Sequence, residues 1–591
     1  MSTQESIAVN GKGLMADSQT TGTTTTTRLP TLLVLAVLAL FSGCEAPLPP
    51  IPHNVDDESA SRCDNLLDST LDMLDPGRLG ITSDRERVVS QLNAWVQDCA
   101  QTTSGDVPSE SRIRKMLEPV LSLGRLNHLT AERFSPRDTD HIRNCLFYQQ
   151  ISRPILKLAE NDLDRAVGLF DFVVRNIEFV DDQSASLPLT LFEVLLFGRG
   201  TAEDCAWLFA NLLRQAHIDA VILRPRTDTA INHPGETERR WLVGVLIDDG
   251  VYLFDPRLGS PIPSAADQVD KLTVRVPATL AEVLKNDGLL RQLDASEDRP
   301  YPLRADDLKS LSVELIGNSS FWSRSLAILQ PPLSEKHSVM IYDSLADGSD
   351  GLGLVSRVAG FGHGRWDETN LAVWPYPEQR LEGFETMNVR QKSEFEAFLL
   401  PFGAPRIVQI NGATGQYELD PNTPNTLLFG PPLHKQQETR ILQLTGDYES
   451  GILNYQKMRL VFERMKQDRL IGPTAPVQVA TQFLHEKAAI DAFFWLGFCQ
   501  LDRGDPAAAA DTFRNFLSQF EQHKTVVWVR NSVWHCRMLM ALSLAEQGQL
   551  TEAIQTLDQA APDDPHRERY QLWRHRLLRA KNRGSKVEGQ E

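Results

Sequence analysis

The sequence predicts an α+β protein with a helical N-terminal region, an α+β core, a mixed middle region and a C-terminal α-helical repeat region. Three observations predict it. Between residues 58 and 160, apolar side chains recur at spacings of three and four, as they do along one face of a helix. Between Trp241 and Pro256, two apolar runs flank Asp248-Asp249-Gly250, a strong hairpin signal. Beyond residue 432, three helix–glycine–helix units follow one another. With 591 residues, the chain is long enough for roughly three or four domains.

The N-terminal end stands apart from the fold. Residues 1–27 are polar and close on a Thr-rich run that cannot bury a core. Arg28 then precedes the apolar run Thr31–Phe41, followed by Ser42-Gly43-Cys44. A basic residue, a short apolar stretch and small residues, in that order, make up an export signal. The run is shorter than the ~20 residues a membrane-spanning helix needs. Ser-Gly-Cys resembles the lipobox of bacterial lipoproteins, although Phe41 stands where that family usually has Leu. The resemblance implies lipidation at Cys44 and residues 1–43 as extension and signal peptide. It also implies an exported chain, lipid-anchored to the cell membrane or outer membrane on the periplasmic side. A plain signal peptide, or a core strand with a chance Cys, is the alternative. Residues 44–57, with the Pro-rich stretch Ala46–His53, read as an extended tether.

Composition excludes some classes of partner. With 78 acidic and 60 basic residues, the formal charge is −18, and the basic stretch Arg567–Lys586 is short and interrupted. Nucleic acid is therefore not an expected partner, because phosphate binding needs a concentrated basic face. The other cysteines, Cys63, Cys99, Cys145, Cys205, Cys499 and Cys536, are too few and too scattered for a disulfide scaffold. Export would permit a pair such as Cys63–Cys99 without the sequence assigning one. No CxxC or His/Cys cluster has zinc spacing, so no metal or cofactor is expected.

Taken in order, residues 58–160 give helices through Leu66, Leu67, Leu71 and Leu74, then Val88, Leu92, Trp95 and Val96. Pro76-Gly77 breaks the first and Ser104–Pro108 ends the second. In residues 162–262, Asp164–Val180 reads as a helix running into a strand-like end. Thr201 and Asp204 form a capping box for the apolar helix that continues through Ala206–Leu213. Ile218–Leu223 is a short buried strand, and the hairpin follows. Residues 263–430 are mixed, with strands expected at Val339–Tyr342, Leu371–Trp374 and Arg406–Ile410. The Gly-rich stretch Gly351–Gly364 lacks both the G-K-[ST] ending of a P-loop and the spacing of a dinucleotide turn, and reads as a flexible surface loop.

Residues 432–580 resemble tetratricopeptide repeats (TPR). Gly446, Gly504 and Gly548 mark the turns, and small residues such as Gly451, Gly497 and Ala541 suit close helix crossings. The resemblance implies protein partners. The turn glycines lie 58 and 44 residues apart, wider than the usual repeat of ~34 residues, so divergent repeats with insertions are expected.

Residues 200–219 and 238–256 together resemble the core of the transglutaminase-like family, a papain-type cysteine fold. That family places a Cys at the N-terminus of a buried helix, where the dipole and a His activate the thiol, with an Asp to orient the His. Counting back from Ala206 sets the nucleophile position at Ala202, and counting back from Trp241 sets the base position at Arg239. Only Asp255 is retained. Alanine has no nucleophile and arginine stays protonated near neutral pH. The resemblance thus implies a domain with the shape of an enzyme and without its chemistry, joined to repeats as a protein-binding scaffold of the cell envelope. The alternative is a cysteine-dependent acyl transferase or protease using Cys205, His233 and Asp255. Against that alternative, Cys205 opens an apolar stripe and His233 sits in a Pro/Gly/Asn loop.

Overall fold

The N-terminal periodicity resolves into six helices. The computed structural model describes residues 55–588, apart from 77–81, 100–109, 181–186, 227–240, 268–272, 297–298, 348–350, 400–401, 403–407, 411–416, 420–430, 469–475, 522–526 and 560–566. The helices are α1 (Val55–Met73), α2 (Thr82–Asp98), α3 (Glu110–Leu117), α4 (Leu123–Leu129), α5 (Pro136–Leu158) and α6 (Asp162–Asn176). Leu67, Leu71 and Leu74 are buried in one cluster with Val88, Leu92 and Trp95, which is the spacing of three and four realised as a packed face. A Cys63–Cys99 disulfide joins α1 to the residue after α2, making the pairing that the sequence left open. Ser135 and Asp138 form a capping box at the start of α5, with Pro136 in its first turn.

The centre is a mixed sheet with a helix buried against it. β1 (Glu178–Phe179) pairs in parallel with β2 (Arg199–Gly200), on either side of α7 (Leu191–Phe197), and α8 (Ala202–Arg214) follows at once. Six further strands form the main sheet: β3 (Asp219–Pro225), β4 (Leu242–Ile247), β5 (Gly250–Asp255), β6 (Ser260–Pro261), β7 (Leu311–Leu315) and β8 (Leu371–Val373). Their order is β6-β5-β4-β3-β7-β8. Neighbours are antiparallel except β7 and β8, which run parallel. Strands from either side of residue 262 thus build one sheet.

The period of two sorts the sheet's side chains onto two faces. Val243, Val245 and Ile247 join Leu208, Phe209 and Leu212 of α8 in one apolar cluster. Leu242, Leu246, Leu253 and Val313 belong to a second cluster that extends into the C-terminal helices. Phe170, Phe209 and Phe254 meet with ring centroids 5.1–5.2 Å apart, fastening α6, α8 and β5 together. The hairpin forms as expected: Ile247 pairs with Gly250 across a two-residue turn in which Asp248 takes φ 51°.

Two expectations for the middle region are corrected. Val339–Tyr342 is not a strand. Its backbone is held by side chains, with Gln330 Oε1 accepting from the N–H groups of Ile341 and Tyr342 at 2.7 Å and Gln215 bonding both ends of Met340. Glutamine amides here replace a neighbouring strand. The Gly-rich stretch is not a simple loop either, because α12 (Leu354–Gly360) lies inside it. Leu354, Val355 and Val358 are buried, and that burial orders the segment. The other elements before the repeats are α9 (Leu280–Lys285), α10 (Gly288–Arg291), α11 (Arg324–His337), α13 (Tyr376–Glu385) and α14 (Val389–Leu399), with the hairpin β9 (Val408–Ile410) and β10 (Tyr417–Leu419).

The chain ends in helix pairs consistent with tetratricopeptide repeats: α15 (Pro431–Leu444) with α16 (Tyr448–Asp468), α17 (Pro476–Asp502) with α18 (Pro506–Phe520), α19 (Val527–Glu546) with α20 (Leu550–Asp558), then α21 (Arg567–Glu588). The turn glycines Gly446, Gly504 and Gly548 all have positive φ, from 76° to 88°. The wide first spacing has a cause: α16 and α17 run to 21 and 27 residues. At Gly497 a Cβ would come within 2.6 Å of the Phe513 ring, so only glycine allows that crossing.

Candidate functional site

The N-terminus of α8 is built as the sequence predicts. Thr201 accepts from the Asp204 N–H, and the Asp204 carboxylate accepts from the Thr201 N–H at 3.0 Å. Ala202, at the position the resemblance gives to the nucleophile, is the first helical residue and is fully buried. The end of β5 lies beside this turn, with Arg257 3.6 Å from Glu203.

Side chains some 170 residues further on cover the site. Tyr376 and Arg380 of α13 reach the first turn of α8. Tyr376 donates to Asp204 Oδ1 at 2.8 Å, and Arg380 donates to both Asp204 oxygens at 3.2 and 2.6 Å. The Tyr376 hydroxyl also lies 3.0 Å from the Thr201 hydroxyl, and its ring stacks on Trp374 at 5.1 Å. Burial and the Asp204 charge hold the Tyr376 phenol well above its ordinary value, so it stays protonated and donates. Nothing in the local sequence signals this cover, because its two halves lie far apart in the chain, with α13 following β8 at the edge of the sheet.

The other residues singled out by sequence are placed as follows. Asp255 is buried at the end of β5. One carboxylate oxygen accepts from the Tyr301 hydroxyl at 2.6 Å and the other from the Leu258 N–H at 2.9 Å. Burial raises its pKa despite those bonds. Held in this way, Asp255 fixes the β5–β6 turn. Cys205 is buried within the apolar cluster on the second turn side of α8, 4% exposed. Arg239, His233 and Cys44 lie outside the described residues.

A cysteine–histidine pair that sequence reasoning missed lies in α5. Cys145 Sγ is 3.4 Å from His141 Nε2, and the H-x-x-x-C spacing that brings them together was the available signal. The same nitrogen lies 2.9 Å from the Ile341 carbonyl, which can only accept, so Nε2 carries the proton and cannot take one from the thiol. Burial pushes the thiol up to about 12 and the imidazole down to about 4. Both groups are neutral at physiological pH, and the pair packs the interior.

The C-terminal helices meet this core through α15, α17 and α21. From α15, buried Arg440 donates to the carbonyls of Leu195 and Asn176 at 3.1 and 3.3 Å while lying 3.6 Å over the Trp495 ring. From α17, Asp502 accepts from Arg175 of α6 at 2.7 Å. From α21, Arg569 donates to the Leu258 carbonyl at 2.9 Å and Arg576 pairs with buried Asp267 at 2.8 Å. Among the described residues, no group of acidic, His or Cys side chains is arranged to hold a metal, and no helix is long and apolar enough to cross a membrane.

Comparison with known proteins agrees with the helix pairs. Residues 491–523, which span the end of α17 and all of α18, match the family model for the tetratricopeptide repeat. No curated protein and no solved structure matches the chain. The chain therefore carries a tetratricopeptide repeat within a mixed α+β protein, and such a repeat suggests protein–protein interaction.

Proposed function

We propose that this protein is a membrane-anchored scaffold of the cell envelope, in which a non-catalytic, transglutaminase-like core carries tetratricopeptide helix pairs that bind protein partners. The repeat match at residues 491–523 carries the protein-binding part of this reading. The closed helix end supports the non-catalytic part: Ala202 is buried and offers no nucleophile, and Tyr376 and Arg380 bond to Asp204 in the same helical turn. The order of α8 followed by β3, β4 and β5, with Glu203 beside Arg257, suits the transglutaminase-like resemblance. Ser42-Gly43-Cys44 and the Cys63–Cys99 disulfide suit an exported chain, since disulfides persist in oxidising compartments.

Because α15, α17 and α21 bond to the core, a partner meets the second helices of the pairs, α16, α18 and α20. On α16, Leu453 and Leu460 are 52% and 61% exposed and lie seven residues apart on one face. A photo-crosslinking residue placed at Leu453 in the full-length protein should capture a discrete envelope protein. The same probe at Lys309, on the α+β body, should not. Equal or absent capture at both positions would sink the scaffold reading. A thiol-reactive probe tests the rest: Cys205 should react only on unfolding, and rapid labelling of the folded protein at neutral pH would favour the cysteine-dependent alternative. For the anchor, radiolabelled fatty acid should enter the wild type and be lost in Cys44→Ala.

A further inference from the structure

The second half of α5, the end of α8 and the residue after α11 enclose an open cleft of about 280 Å³. Arg153 and Lys157 project into it from successive turns of α5, and His217 and Ser338 close it from the ends of α8 and α11. No carboxylate lines it, although the chain as a whole carries 18 more acidic than basic residues. Among the described residues, neither Arg153 nor Lys157 forms an ion pair; Arg153 donates only to Gln149, at 3.2 Å.

The backbone adds a second observation. His217 and Ser338 both stand in the left-handed region, at φ 57° and 53°. Glycine fills such helix-end positions at least cost, and another residue there costs roughly 1 kcal/mol. Of the four non-glycine residues with positive φ among the described residues, two line this one cleft, each presenting a polar side chain. Stored backbone strain of this kind gathers where a side chain is needed.

The negative ends of α5, α8 and α11 also face this region and must be weighed. Each helix end carries about half a negative charge, so three contribute about −1.5. Arg153 and Lys157 contribute two full positive charges on long side chains. The cleft remains cationic. We propose that it binds a phosphate group. Two cations, an imidazole, the Ser338 hydroxyl and the Gln149 amide offer more donors than the two oxygens of a carboxylate can accept, whereas a phosphate presents three or four. The volume suits a free phosphomonoester. Leu158, next to Lys157 and 88% exposed, equally suits a lipid headgroup with the side chain resting in the acyl boundary. This site is independent of the scaffold reading.

The test uses the full-length protein and two probes. Inorganic phosphate is titrated by calorimetry, and vesicles of phosphatidylcholine with or without phosphatidylglycerol are tested by co-sedimentation. Arg153→Gln and Lys157→Gln alter exposed side chains and should leave the circular dichroism unchanged. Each should weaken binding by about tenfold, as expected for loss of one charge-assisted hydrogen bond. Saturable phosphate binding without vesicle binding identifies a free phosphate ligand. Phosphatidylglycerol-dependent sedimentation that both variants abolish identifies a headgroup. Binding of neither probe overturns the proposal. So does binding that survives the double variant, or that Lys309→Gln weakens as much.

Discussion

Two arginines, the largely covered Arg380 and the fully buried Arg440, both close off the α+β core, and they do so by different physics. Arg380 meets a carboxylate: Asp204 is fully buried, and the guanidinium covers both its oxygens. Burial alone would pull Arg380 down, but Asp204 and Tyr376 outweigh it and hold the pKa above its ordinary value. Arg440 meets neutral acceptors, two carbonyls and the Asn176 side chain, and the face of Trp495. No carboxylate is bonded to it, and the more distant Tyr455, Cys499 and Asp502 do not offset burial, so its pKa falls to about 10. It is still charged at pH 7, but its environment favours the charge less. The helix end is locked by an ion pair, while the seam to the repeats is pegged by a cation seated on dipoles and a ring.

The contrast predicts unequal costs. Arg380→Ala should be the most damaging single change, at about 3–5 kcal/mol, because it strands the Asp204 carboxylate in the interior. Urea denaturation of the full-length protein measures it. The double variant Asp204→Asn/Arg380→Ala should recover part of the loss, since the stranded charge is gone. A loss below about 1 kcal/mol, or no recovery, would show that water already reaches Asp204 and that the helix end is not sealed.

Each region also buries a neutral histidine, His141 in α5 of the core and His535 in α19 of the repeats, which burial lowers to about 4 and about 3. For a histidine whose folded pKa lies below its unfolded value, the associated stability is complete above about pH 6.5 and lost as the pH falls through the folded value. From pH 7 to 4, His141 accounts for about 3 kcal/mol. The raised carboxylates Asp171, Asp255 and Asp502 act in the opposite sense over that range. The informative quantity is therefore the difference between wild type and His141→Gln. That variant should be less stable at pH 7 and should lose distinctly less on acidification; parallel curves would mean His141 titrates normally.

At the seam, Arg440→Met should cost about 2 kcal/mol, the range of hydrogen bonds made by a charged donor, because methionine fills the volume and leaves only neutral carbonyls behind. Gly198→Ala should match or exceed it. Gly198 has φ 64° at the end of α7, and a Cβ there would run into the Trp495 ring. Limited proteolysis should then release the repeat region from the core in both variants. Intact resistance would place the main attachment at Arg175–Asp502 and Arg576–Asp267.

Legibility in the sequence follows the same division. The capping box of α8, its apolar run, the Asp-Asp-Gly hairpin and the three turn glycines were readable because each is a pattern within a few residues. The six-stranded sheet was only half readable. β3, β4 and β5 follow one another, but β7 and β8 join after long excursions, and Val339–Tyr342 has the composition of a strand yet pairs with glutamine side chains. The cover over α8 was not readable, because Tyr376 and Arg380 look like ordinary helix residues until the sheet delivers them to Asp204. The seam was hidden for a like reason: an arginine in an amphipathic helix reads as solvated, and only the assembled core supplies Leu195 and Asn176.

The smallest predicted effect separates the seam from the helix turns. Gly504 has φ 88° in the turn between α17 and α18, and a Cβ there would meet nothing within 4 Å. Gly504→Ala therefore adds only the strain of a left-handed alanine, about 1 kcal/mol. Gly198→Ala adds the same strain and the collision with Trp495 besides. If the repeats were a separate body resting loosely on the core, Trp495 would move aside and the two variants would lose equal stability. A larger loss in Gly198→Ala, cancelled when Trp495 is also replaced by Ala, would show the seam to be packed as tightly as the core itself. The α+β part and the helix pairs would then act as one body, leaving α16, α18 and α20 as the free face of the repeats.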